Sequence, residues 1–247
     1  MRYGERMINI YVLIIFNTKK PHLGNNTDPE WLNYRLDIFQ RYTLKSLVNQ
    51  NDNRFKVWML CYEGSKEFLD SCLEPMRAEN EDMHRVDFIY DYKPACEKLG
   101  NNDEPLCFLK IDSDDTYRRD TIETCRHSFE HAKEISLLMF RNGFIYDLKT
   151  GELFPFERWS ICTYAVYYPP RHFNQDNLEK YCLCDQTEVY GRFKPSINMD
   201  RMVCCLDHEM NLHSNPQREG AEAEKRTGQK ECLPKKRVSA ILKEFGI

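Results

Sequence analysis

Short runs of consecutive apolar residues alternate along the chain with stretches whose apolar residues recur every third or fourth position. "INIYVLIIF" (Ile8 to Phe16), "RFKVWMLCYE", "RVDFIY", "LCFLKI" and "ISLLMF" are of the first kind. They predict strands buried on both faces, the first over residues 7–16. The stretch from Asp28 to Gln50 is of the second kind, with Asp28 and Pro29 as a helix start. Leu32, Leu36, Phe39, Thr43 and Leu47 form one face of that helix, a core-packing stripe. "KEFLDSCLEPM" predicts a short helix stopped near Pro75, and "DTIETCRHSFEHAKE" a helix with Asp120 and Glu123 at capping-box spacing. "GFIYDLKTGELFPF" places a turn signal between apolar arms and predicts a hairpin. Strands alternating with helices predict an α/β fold: a mixed, mostly parallel sheet flanked by helices, with a C-terminal hairpin region. The domain is expected over residues 1–213. Residues 214–236 are polar and charged and predict a flexible linker, and residues 237–247 predict a C-terminal helix that docks back.

Charge narrows the partners. The net charge of −4 leaves no basic surplus to neutralise phosphates over a long interface, so nucleic acid is not an expected partner. The longest apolar run is too short to span a bilayer, and no small-residue cleavage site follows it. No transmembrane segment or signal peptide is therefore expected. The 11 cysteines are odd in number and sit mostly in apolar segments. Buried free thiols in a reducing cytosol account for them, which makes the expected location cytoplasmic, or peripheral to a membrane. Neither "CLC" (Cys182, Cys184) nor "CC" (Cys204, Cys205) with His208 has the spacing of a structural zinc site.

The chemistry concentrates in "CFLKIDSDDTYRRD", where Asp112, Asp114 and Asp115 follow an apolar strand within four positions. Two carboxylates about 4 Å apart repel by roughly 4 kcal/mol at an effective dielectric near 20. A divalent cation offsets that, and hard oxygen ligands suit Mg²⁺ or Mn²⁺. Ligands also bind outside the carboxyl ends of strands in open α/β sheets. Asp114 is the first candidate for direct metal contact. If the acids repel one another, Asp114→Asn is expected to preserve or even raise stability. The run "RMVCCL" reads as a second buried strand that ends near His208, so this imidazole is a further candidate ligand, with His213 as its rival and Asn211 as the partner of its other nitrogen.

"DSDDT" also matches the D-x-D-x-T signature of haloacid-dehalogenase-like phosphatases. There Asp112 would be nucleophile, Asp114 acid/base and Thr116 a phosphate contact. Four strand-like segments precede the motif here, and no G-D-x-x-x-D follows it.

The order of strands and helices leading to the D-x-D of Asp112 and Asp114 resembles a glycosyltransferase of the GT-A fold. "YRLDIFQRYTLKSLVNQNDNRFKVWMLCYE", "KIDSDD", "RMVCCLDHEMNLHSN" and "LKEFGI" resemble segments of the rhamnosyltransferase-like branch related to family-two glycosyltransferases. Lys110 stands where that branch has arginine, and Cys204, Cys205 and Asp207 replace a tryptophan-rich approach to the histidine. The resemblance implies transfer of a sugar, rhamnose among the candidates, from a nucleotide-sugar donor to a glycan, lipid-linked or protein acceptor. It implies Mn²⁺ or Mg²⁺ held by Asp112, Asp114, Asp115 and His208 against the donor diphosphate. Asn17 and Thr18, after the first strand, and Arg35 and Asp112 are the expected nucleotide-sugar contacts. An inverting reaction needs a carboxylate base, for which Asp185, Glu188 and Asp200 stand as equal candidates. Trp159, Tyr164, Tyr167 and Tyr168 are candidates for an acceptor groove or for core. An inactive GT-A-like sugar-binding domain is the non-enzymatic alternative.

Overall fold

The structure, a computed structural model, describes residues 7–17, 27–101, 103–157, 163–184, 186–198, 200–208 and 232–247. Its centre is a seven-stranded sheet. In spatial order the strands are β10 (Ser196–Asn198), β6 (Ser136–Phe140), β9 (Tyr164–Tyr168), β4 (Leu106–Ile111), β1 (Asn9–Ile15), β2 (Phe55–Leu60) and β3 (Val86–Ile89). Neighbours run parallel except at β9, which is antiparallel to both β4 and β6. This is the mixed, mostly parallel sheet that the hydrophobic pattern predicts. All six residues of β4 are buried because both of its faces are covered. Val12, Ile14, Leu109 and Ile111 pack on one face with Leu32, Leu36 and Phe39. Leu13, Trp58, Phe108 and Tyr168 pack on the other with Phe173 and Leu178. The in-register pairs Val12↔Leu109 and Ile14↔Ile111 bring the ends of β1 and β4 to one edge.

The first helical stretch comprises α1 (Pro29–Ile38), a π-helical segment (Phe39–Leu44) and α2 (Lys45–Val48). Asp28 caps it through Glu30 N–H. The whole predicted stripe is buried. Its later steps of four residues exceed the α-helical repeat, and the wider π turn keeps Phe39, Thr43 and Leu47 on the core side.

Three local expectations are corrected. Helix α3 (Lys66–Glu79) runs through Pro75 rather than stopping there. Pro75 removes one backbone bond, while buried Met76 anchors the last turn and accepts from Asn80 N–H. A short helix, α4 (Lys93–Gly100), stands between β3 and β4, where none was expected. Helix α5 (Thr121–Ser128) forms without the capping box, because Arg118 holds both carboxylate oxygens of Asp120 at 2.6 and 2.8 Å.

A second, four-stranded sheet has the order β5 (Asp115–Tyr117), β11 (Val203–Asp207), β7 (Asn142–Asp147) and β8 (Leu153–Glu157). The predicted hairpin is β7–β8, closed by Gly151 at φ 71°. At Gly143 the chain passes so close to the Val203 carbonyl and the Phe156 ring that no Cβ fits. Helix α8 (Lys235–Glu244) starts two residues before the predicted position and packs Val238, Leu242 and Phe245 on Phe144. Leu233 N–H donates to the Leu153 carbonyl just ahead of it. Residues 214–231 of the predicted linker lie outside the described residues.

Candidate active site

The acidic turn leaves β4 at the edge of the parallel strands and is pinned from two sides. Thr43, on the π-helical segment, donates its hydroxyl to the Ser113 carbonyl at 2.9 Å. Asp115 N–H donates to the Asp112 carbonyl at 3.2 Å, and Asp115 then enters β5 opposite Cys205. That antiparallel register draws His208, three residues beyond Cys205, toward Asp114. Tyr117, wholly buried, donates to the Lys110 carbonyl at 2.5 Å and fastens the strand end from below.

The three carboxylates go separate ways. Asp115 is buried, with the Cys205 thiol 3.4 Å from its Oδ2. Asp112 is half-buried. Asp114 meets Arg35 of α1 and His208. Arg35 Nη1 lies 2.7 Å from Asp114 Oδ2 and 3.3 Å from His208 Nε2, and the latter two atoms are 3.1 Å apart. Arg35 Nη2 donates to Ser113 Oγ at 2.6 Å. The His208 side chain is 2% exposed and lies under the ring of Tyr34, centroids 5.4 Å apart. Burial alone would raise the Asp114 carboxyl. The hydrogen bond with His208 and the charge of Arg35 outweigh it and hold the group at about 2, below its usual 3.8. The nearest charge to Asp114 is thus a cation, so the expected stability gain in Asp114→Asn is reversed to a loss. Burial and the charge of Asp147 raise the neighbouring Asp207 carboxyl.

Two ligands of one octahedral ion, each about 2.1 Å from it, stand about 3 Å apart. Asp114 Oδ2 and His208 Nε2 have that separation. The two atoms, a carboxylate oxygen and an imidazole nitrogen joined here by a hydrogen bond, are donor types that a divalent ion takes. Among the described residues no group of three or more His, Cys, Asp or Glu side chains is gathered for a metal.

The other candidates are placed as follows. Asn17 is buried and bridges the ends of β1 and β2, donating to Ser65 Oγ at 3.0 Å and accepting from Tyr62 N–H at 2.9 Å. Glu188 is exposed on α7 (Gln186–Arg192) and pairs with Arg192 at 2.7 Å. Asp200 is exposed, and its carbonyl accepts from Arg118. Thr18, Trp159, Asp185, Asn211 and His213 lie outside the described residues. Tyr164, Tyr167 and Tyr168 are fully buried in β9 and form core rather than a groove. Tyr168 donates to the Asn177 carbonyl at 3.1 Å. Thr116 donates its hydroxyl to the Cys204 carbonyl at 3.0 Å, so it is not presented to a phosphate as the phosphatase motif requires. Ser113 and Tyr34 went unrecognised in the sequence. A polar Thr43 inside an apolar stripe was the available signal that the helix grips something polar.

An α/β sheet thus carries an acidic turn at the end of a central strand, where an arginine and a histidine meet it. Residues 25–166 match the family described as "Putative rhamnosyl transferase", more than half of the chain, and the chain belongs to that family. No curated protein sequence matches. Among solved structures the chain is similar to the crystal structure of S. aureus TarS 1–349, with 13% identity and a TM-score of 0.43. The match covers 81% of this chain and 60% of that one. Among the described residues no helix is long and apolar enough to cross a membrane.

Proposed function

We propose that the chain transfers a sugar, with rhamnose the leading candidate from its family, from a nucleotide-sugar to a hydroxyl acceptor. A glycan, a lipid-linked saccharide or a protein can supply that hydroxyl. The observation that carries the reading is the triangle of Arg35, Asp114 and His208 at the end of β4. Mn²⁺ or Mg²⁺ would be held by Asp114 and His208, with Asp112 reaching it through water or binding the ribose. When bound, it stabilises the negative charge that the leaving diphosphate gains. An imidazole donor favours Mn²⁺ of the two. Arg35 supplies a permanent positive charge for the same diphosphate. Asp185, Glu188 and Asp200 stay equal candidates for the base, to be separated by substitution. The free thiols among the described residues support a cytoplasmic location, with peripheral membrane contact as the alternative.

The test is a panel of nucleotide-sugars, rhamnose donors included, assayed for metal-dependent release of nucleoside diphosphate. Release that EDTA abolishes supports the reading. Inorganic phosphate freed from simple phosphoesters would point to the phosphatase instead. Donor binding without turnover, with every acceptor class supplied, would make it a binding domain.

A further inference from the structure

We propose that Arg35 is a resident cation, seated where the divalent ion binds, which the metal must displace and which then passes to the donor diphosphate. This rests on the metal-dependent reading above. Arg35 Nη1 contacts both atoms that fit as metal ligands, Asp114 Oδ2 at 2.7 Å and His208 Nε2 at 3.3 Å. It lies within reach of both atoms at once, and two cations cannot occupy that position together. The guanidinium already offsets the charge of Asp114, so the free protein has little electrostatic demand for a metal.

The second observation is the incomplete satisfaction of Arg35. Nη1 and Nη2 are engaged by Asp114, His208 and Ser113, but Nε is buried with no hydrogen-bond partner among the described residues. A buried donor left unpaired is costly, and a guanidinium is built to grip phosphate oxygens in pairs. A diphosphate arriving with its ion supplies acceptors for Nε and Nη while the ion takes over Asp114 and His208. Metal and donor therefore bind together, each weakly without the other. The Trp31 ring, 5.8 Å from the guanidinium carbon, gives the displaced cation an aromatic face to slide along.

The experiment compares wild type with Arg35→Met, which keeps a stem and loses the charge. Free Mn²⁺ is counted by electron paramagnetic resonance, and inorganic pyrophosphate binding at saturating Mn²⁺ is measured by calorimetry. Arg35→Met should bind Mn²⁺ alone about ten-fold more tightly and bind pyrophosphate about ten-fold more weakly. Arg35→Lys, which keeps a charge but not the fork, should hold Mn²⁺ affinity near wild type, and it serves if the Met variant fails to fold. Wild type that binds Mn²⁺ with pyrophosphate, beside an Arg35→Met no tighter for Mn²⁺ alone, would overturn the displacement and leave the metal site standing. If neither protein binds Mn²⁺ under any condition while both are folded, the metal reading itself fails and the displacement with it.

Discussion

Asp114→Asn keeps the shape of the side chain and removes the charge that faces both Arg35 and His208 in the strand-end triangle. The magnitude follows from the carboxyl, which burial would raise but which His208 and Arg35 hold at about 2 instead of 3.8. A fall of about two pH units, at about 1.4 kcal/mol each, makes the ionised carboxylate worth about 2–3 kcal/mol to the fold. The sign is that of a depressed acid. Its contribution is complete above the unfolded value of 3.8 and disappears as pH falls through the folded value of about 2. At neutral pH the variant should therefore lose about 2–3 kcal/mol, which for a chain of this length lowers Tm by about 5–10 °C. Urea unfolding followed by circular dichroism at about pH 7 and about pH 3 measures both the gap and its narrowing in acid. A variant as stable as wild type at neutral pH, or a gap that does not shrink in acid, would refute the assignment of the charge pair.

Further outcomes follow from individual contacts. Gly143→Ala drives a methyl group into the Val203 carbonyl and to 2.7 Å from the Phe156 ring, and should cost about 2–3 kcal/mol by urea titration. Thr43→Val removes the hydroxyl that holds the Ser113 carbonyl, so about 1–2 kcal/mol of stability should be lost, with a larger proportional fall in turnover as the turn loosens. Mn²⁺ together with a nucleoside diphosphate should raise Tm in a concentration-dependent way, and EDTA should reverse it; an unchanged Tm at saturating ligand would count against the donor site.

The sheet was legible where burial leaves only one option. "LCFLKI" has apolar or near-apolar residues at every position but Lys110 because both faces of β4 are covered, and the strand spans those six residues. The stripe from Leu32 to Leu47 was legible for the complementary reason, since one helix face alone is buried. Strand β5 was hidden because its three residues begin inside the acidic turn, and pairing with β11, about ninety positions later, makes it a strand. Helix α4 was missed because "KPACEKLG" is only eight residues long, too short for a helical stripe to show, although Pro94 and Gly100 mark its two ends. Of the site, Asp114 and His208 could be named as strand-end residues, but their meeting depends on the β5–β11 register, which no local pattern reports. The pairing of Arg35 with Asp114 spans 79 positions and depends on α1 packing over the end of β4. The destinations of Asp112 and Asp115 were equally out of reach, since alternation shows that neighbours part but not what each will meet.

The central claim is that glycosyl transfer takes place at the Arg35–Asp114–His208 triangle. Its most direct test is the turnover of Asp114→Asn and of His208→Ala on the nucleotide-sugar that wild type consumes, at saturating donor and Mn²⁺, with folding checked by circular dichroism. Each variant should lose about 100-fold or more in kcat while remaining folded. Turnover within about two-fold of wild type in both variants would place the chemistry elsewhere on the molecule.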